Sequence, residues 1–128
     1  MDELKKKILI VDDDMFLLDM YAMKFSQNNF EVSTATDGVI AIAKLKEGLS
    51  PDVILLDIIM PKMDGFEMLE KINSEKLCEG CVKVVLSNKG QQSDIDQGKS
   101  LGASGYIVKA NATPGEVVKE VLEILDKK

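Results

Sequence analysis

Short continuous apolar runs alternate along this chain with longer stretches in which apolar residues recur every third or fourth position. Ile8-Leu9-Ile10-Val11 is the first such run and reads as a strand buried on both faces. A helix is predicted from Met15 to Gln27, with Phe16, Met20, Met23 and Phe25 among its apolar positions, ended by Asn28-Asn29. The second strand, Phe30 to Ala35, alternates and so predicts a less buried position. Asp37 caps a second helix over Val39 to Lys46, which Gly48 closes. Ser50-Pro51-Asp52 turns the chain into the third strand, Val53 to Leu56. After a loop from Ile58 to Gly65, a third helix is predicted from Phe66 to Glu75.

The fourth strand is Val82 to Leu86, and a weak fourth helix runs from Ser93 to Leu101 with little apolar besides Ile95. The fifth strand is Tyr106-Ile107-Val108. The last helix opens on Thr113 as cap, Pro114 at its first position and Glu116 completing a capping box. Its apolar stripe is Val117, Val118, Val121, Leu122 and Leu125. Five strand–helix units in succession predict an open parallel sheet with helices on both faces.

In such sheets the ligand crevice lies at the carboxyl ends of the strands. The residues there are polar. The first strand runs into Asp12-Asp13-Asp14, the third into Asp57, the fourth into Ser87-Asn88 and the fifth into Lys109. Taken alone, Asp14 reads as the N-cap of the first helix, Asp57 as a turn residue, Ser87 as a strand-end hydroxyl and Lys109 as a solvent-exposed cation. Four strand ends delivering carboxylates, a hydroxyl and a lysine to one rim make the separate readings improbable together. Crowded carboxylates resist ionising beside one another, and a hard divalent cation such as magnesium relieves this.

Composition narrows the picture. The 128 residues are 45% hydrophobic and 30% charged, the profile of one globular domain, expected here to span 1–128. The net charge of −6 argues against direct nucleic-acid binding, which needs clustered Lys and Arg. No apolar run approaches the roughly 18 residues of a membrane span. Met1 to Lys7 is polar and not a signal peptide, so a cytoplasmic address is expected. His is absent, which removes His-based catalysis within the chain. The only cysteines, Cys78 and Cys81, lack the two further ligands zinc requires and precede a strand rather than open a helix. They read as reduced thiols in a connecting loop.

The stretches Ile8 to Asp14, Asp52 to Gly65, Val84 to Ser87 and Gly102 to Lys109 together resemble the response-regulator receiver domain, in particular its single-domain, chemotaxis-regulator-like members. The similarity runs from Lys7 to Leu125, and the segment Asp57-Ile58-Ile59-Met60-Pro61-Lys62-Met63-Asp64-Gly65 is its most specific part. The resemblance implies a flavodoxin-like (βα)5 three-layer sandwich with sheet order 2-1-3-4-5. It implies that Asp57 accepts a phosphoryl group from a sensor histidine kinase or phosphotransfer protein. It implies Mg2+ held by Asp12, Asp13, Asp57 and the main-chain carbonyl of Ile59. Ser87 and Lys109 match the family's phosphate-binding hydroxyl and lysine, and Ser87 and Tyr106 its switch pair. A downstream protein target or output domain would read the face formed by the fourth helix, fifth strand and fifth helix.

The chain departs from the family pattern at two positions. Ala110 stands where proline usually follows the lysine, so a trans bond is expected there. Asn88 stands where a small residue often follows the hydroxyl, and is expected to narrow access to the site. Gly65 is expected to supply a tight turn that folds Met60-Pro61 back toward the site. Ending at Lys128, the chain is expected to be a stand-alone receiver or the receiver part of a longer regulator. Such a domain is no enzyme beyond its own phosphorylation and dephosphorylation. The different-class alternative is a magnesium-dependent phosphatase or phosphotransferase with Asp57 as nucleophile on a small substrate. Such enzymes typically carry a second Asp two residues on, where this chain has Ile59. A flavin-binding module is a third option, opposed by the repulsion between three aspartates and a phosphate.

Overall fold

The computed structural model describes residues 5–127; the polar start, Met1 to Leu4, and Lys128 lie outside them. Strands β1 (Lys6–Val11), β2 (Phe30–Ala35), β3 (Val53–Leu56), β4 (Val82–Ser87) and β5 (Gly105–Val108) alternate with helices α1 (Met15–Ser26), α2 (Gly38–Lys46), α3 (Gly65–Ser74), α4 (Gln92–Ser100) and α5 (Pro114–Asp126). All neighbouring strands pair in parallel, in the order β2-β1-β3-β4-β5. This is the expected flavodoxin-like sandwich.

The period-two alternation of the strands sorts the core into two halves. Leu9, Val11, Ile54, Leu56 and Val85 face one side, where α2 and α3 cover them with Ile42, Leu69 and Ile72 among others. Ile8, Ile10, Val53, Leu55 and Val84 face the other side, covered by α1 and α5 through Leu18, Phe25, Val117 and Val121. Both faces of β1 and β3 are therefore sealed, which is why their sequences are continuous apolar runs. β2 is an edge strand, half-buried through Val32, Ser33 and Thr34 as its alternation predicts.

Local chemistry sets the helix starts. Asp14 caps α1 by accepting from Leu17 N–H at 3.1 Å, and Asp37 caps α2 by accepting from Ile40 N–H at 2.8 Å. The Thr113–Glu116 capping box opens α5 as read. A second box, Asp64 with Glu67, opens α3 one residue earlier than expected. Helix faces are less faithful to expectation. Of the apolar positions expected for the first helix Phe25 is buried, but Phe16 and Met23 are 78% and 63% exposed, and Leu18 and Tyr21 join Phe25 in the core. α1 is apolar around most of its circumference, so its pattern alone does not select the buried stripe.

Gly65 departs from its expected role. It is the first residue of α3 and has no positive φ; the left-handed residue of the preceding loop is Lys62, at φ 69°. Glycine is required at 65 by close approach. A Cβ there would lie 2.3 Å from the carbonyl oxygen of Asp57 and 2.8 Å from Ile58 Cα. Cys78 and Cys81 lie half-buried in the α3–β4 connection, the loop expected for them.

Candidate functional site

The parallel register brings the carboxyl ends of β1, β3, β4 and β5 to one rim. Asp12 follows β1 directly, and its N–H donates to Ala35 O across the sheet. Asp57 follows β3, with its N–H on Val11 O at 3.0 Å. Asp12 is 2% exposed and Asp57 7%, while Asp13 is open to solvent. One carboxylate oxygen from each of the three residues falls within a span of 4.8 Å.

Lys109 reaches into this cluster from just beyond β5. Its Nζ lies 2.8 Å from Asp57 Oδ2 and 2.8 Å from Asp12 Oδ2. The backbone holds the other oxygens. Asp12 Oδ1 accepts from Asp14 N–H at 2.9 Å, and Asp57 Oδ1 accepts from Ile58 N–H at 2.7 Å and lies 3.4 Å from Ile59 N. Burial pushes the Asp12 carboxyl above its usual range, against the pull of Lys109 and the Asp14 amide. Burial also works against the charge on Lys109, but its bonds to Asp12 and Asp57 outweigh that and raise its pKa. Lys109 is therefore a fixed cation at neutral pH.

Three carboxylates face one ammonium, which leaves two negative charges uncompensated in a recess with hard oxygen donors only. That donor set fits magnesium, which is bound through a few carboxylates plus waters and phosphate oxygens. The residues that would hold it are Asp12, Asp13 and Asp57.

Ser87 ends β4 fully buried, and its Oγ accepts from Lys89 N–H at 3.2 Å. That bond uses a lone pair and leaves the hydroxyl proton available to an incoming oxygen. The Nζ of Lys89, two residues on, pairs with the buried Asp94 at 3.3 Å. Tyr106 stands half-buried on β5, its ring against Gly98 of α4 and its hydroxyl donating to Lys89 O. Burial, then Asp94 and Asp57, push that phenol up to about 12, so it remains a donor at neutral pH. Ile59 is 63% exposed on the lip beside Asp57.

Sequence reading thus located Asp12, Asp13, Asp57, Ser87 and Lys109 on one rim. It did not find the Lys89–Asp94 pair or a one-turn 3-10 helix, Lys109–Asn111, that starts at the lysine. It also left the Asp64–Glu67 box unread, although an Asp-x-x-Glu spacing before an apolar stretch is a signal the sequence carries.

The family model of the response regulator receiver domain matches residues 8–122. The chain belongs to that family. Chemotaxis protein CheY of Treponema pallidum is 38% identical over 106 residues, covering 80% of this chain and 72% of that protein. The alkaline phosphatase synthesis transcriptional regulatory protein PhoP of Bacillus subtilis is 34% identical over 122 residues, 95% of this chain but 49% of that protein. The receiver spans about half the length of several curated relatives it matches, PhoP and the mycobacterial DNA-binding response regulator MtrA among them. Among solved structures, a CheY-like receiver domain from Methanospirillum hungatei aligns with a TM-score of 0.87 at 30% identity, covering 97% of this chain and 96% of that one. The signal receiver domain of NarL from Mycobacterium tuberculosis aligns at 0.86 and 28%, covering 98% and 100%.

This is therefore a receiver domain of the two-component response-regulator kind, a signalling domain rather than a classical enzyme. Among its described residues no helix is long and apolar enough to cross a membrane.

Proposed function

We propose that Asp57 is the phosphoacceptor and that residues 1–128 act as one phosphorylation-controlled switch in the cytoplasm. The observation that carries this is the placement of Asp57: buried at a strand end, one oxygen on the Ile58 amide, the other on Lys109, inside a three-carboxylate cluster. A carboxylate held this way is oriented toward phosphorus without freedom to rotate, and positioning with charge neutralisation is most of the catalysis in phosphoryl transfer.

The step is a displacement at phosphorus. A lone pair of Asp57 forms the new O–P bond while the P–N bond of a phosphohistidine breaks, its electrons returning to the imidazole. The donor histidine comes from a kinase or phosphotransfer protein, since this chain has none. Magnesium, when bound by Asp12, Asp13, Asp57 and the Ile59 main-chain carbonyl, neutralises charge on the phosphoryl oxygens. Lys109 transfers its hydrogen bond from Asp57 to a phosphoryl oxygen, and Ser87 donates its hydroxyl to another.

The output reading follows from the β4–α4 loop. Drawing Ser87 toward the phosphoryl group pulls on Lys89, to which both Ser87 Oγ and the Tyr106 hydroxyl are bonded. The displacement passes to Tyr106 and α4, and a downstream protein target or output domain reads the α4-β5-α5 face. No direct contact with nucleic acid or membrane is part of this reading. The small-substrate phosphatase alternative gains no support, since an apolar Ile59 cannot serve as the acid–base it would need.

Incubation with acetyl phosphate and magnesium adds one phosphoryl mass, and Asp57→Asn abolishes it. Labelling that survives this substitution, or that proceeds without a divalent metal, refutes the assignment.

A further inference from the structure

Two positions where this chain departs from the family pattern, Asn88 and Ala110, are bonded to each other. The Asn88 Oδ1 accepts the Ala110 N–H at 2.9 Å, across 22 residues of sequence. Proline at 110 would have no N–H to give. We propose that Asn88 is a positioning residue for phosphoryl transfer, tying the loop that carries Ser87 to the turn that carries Lys109. The proposal rests on the reading of Asp57 as phosphoacceptor.

The geometry supports it in three ways. The β4–β5 ladder ends at the Ser87–Val108 rung, because beyond Val108 the chain turns into the Lys109–Asn111 3-10 helix. The next main-chain rung cannot form, and the Asn88 side-chain oxygen replaces it one residue further on. Secondly, Ala110 N–H lies in the first turn of that short helix, where amides lack a partner within the helix. Asn88 supplies the partner. Thirdly, the tie is exposed and so adds little to the stability of the fold, yet each of its ends is adjacent to a site residue. Ser87 precedes Asn88, and Lys109 precedes Ala110. Lys109 spans from this turn to two carboxylates at once, which makes its head sensitive to any drift of the turn.

A side chain that only narrowed access to the site would have the opposite effect, because removing a barrier would speed the reaction. Asn88→Ala and Asn88→Leu separate the two. Leu keeps the bulk of the side chain without an acceptor, and Ala opens the approach. Both variants are expected to slow phosphorylation by acetyl phosphate by about fivefold or more, since small misplacements of a positioned group weaken catalysis. Amide exchange at Ala110 should quicken in both, measured by NMR. Magnesium affinity, followed by amide shifts, should not fall, because Asp12, Asp13 and Asp57 lie on neither tied segment and a displaced Lys109 only takes positive charge away from them.

An unchanged or faster rate in Asn88→Leu overturns the proposal. So does a loss of magnesium affinity in step with the rate, which marks general loosening instead of misplaced Lys109 and Ser87. Wild-type protein that takes no label is a different failure, since it refutes the phosphoacceptor reading itself.

Discussion

Gly65→Ala tests whether the backbone of α3 braces the phosphoacceptor. The added Cβ would stand 2.3 Å from the Asp57 carbonyl oxygen and 2.8 Å from both Ile58 Cα and Cδ1. Two of these three atoms are main chain, so no side-chain rotation relieves the clash. The helix start must withdraw by about 0.7 Å to reach the 3.0 Å below which Cβ contacts are essentially never found. Such a retreat along the Gly65 N–H···Ile58 O direction stretches that bond from 2.8 Å to about 3.5 Å, past hydrogen-bond reach. The lost bond costs about 1 kcal/mol, and forced backbone adjustment in a packed region about 1–3 kcal/mol. Alanine's better helix propensity returns about 0.5–1 kcal/mol. A net loss of about 2 kcal/mol results.

With an unfolding entropy near 2.1 cal/mol/K per residue, that loss lowers Tm by roughly 7 °C in a chain of this length. Gly115→Ala is the matched comparison. Gly115 also lies in the first turn of a helix, but its new Cβ meets only Lys24 Cε at 3.6 Å, the far end of a flexible side chain. It should raise stability by about 0.5 kcal/mol. Urea titrations followed by far-UV circular dichroism suit both variants, as the chain has no Trp. Magnesium affinity should fall in Gly65→Ala alone, since Asp57 moves with its own carbonyl. If both variants shift stability in the same direction, or Gly65→Ala binds magnesium normally, the bracing argument is wrong.

Asp12→Asn should stabilise the fold while removing a metal ligand. Burial holds the Asp12 pKa above its unfolded value of 3.8, so its contribution to stability is fully present below that value and is lost as pH rises through the folded pKa. The gap in urea midpoint favouring the variant therefore widens as pH rises from the unfolded value of 3.8 through the raised folded one, and a gap that stays constant or shrinks over that rise refutes the assignment. Ile59→Asn should hasten phosphate loss several-fold, because an amide on the lip beside Asp57 can orient a water where isoleucine cannot; decay of the phosphorylated mass after donor removal decides it. Amide exchange with and without beryllofluoride should differ most across residues 87–110, where α4 buries only Asp94 and Gly98; a uniform change would count against the switch.

The elements and most of the site were legible because their signals are local. A strand buried on both faces reads as an unbroken apolar run, so the polar residues that end such runs, Asp12, Asp57 and Ser87, stand out without any knowledge of strand order. Caps at Asp14, Asp37 and Thr113 are equally local, since each bonds an amide three residues on. The order β2-β1-β3-β4-β5 came from family resemblance and not from the pattern, because periodicity says which residues face a neighbour and not which neighbour it is. The buried stripe of α1 follows the sequence only at Phe25 for the same reason: with apolar groups around most of the helix, only the sheet and α5 packed against it select Leu18 and Tyr21 over Phe16 and Met23.

Tertiary structure alone decided the rest. Asp94 looks like any exposed acid of a polar helix until Lys89 and the Gln91 amide close around it. Gly65 looks like a turn glycine until the Asp57 carbonyl is seen against its Cα. The bond from Asn88 to Ala110 exists because a parallel ladder carries two loops, distant in sequence, past its last rung side by side. Local pattern encodes periods of two and 3.6 residues and the caps that end them. Contacts between strand ends depend on which strands are neighbours and on how far each runs before it turns, and that is a property of the whole assembled sheet.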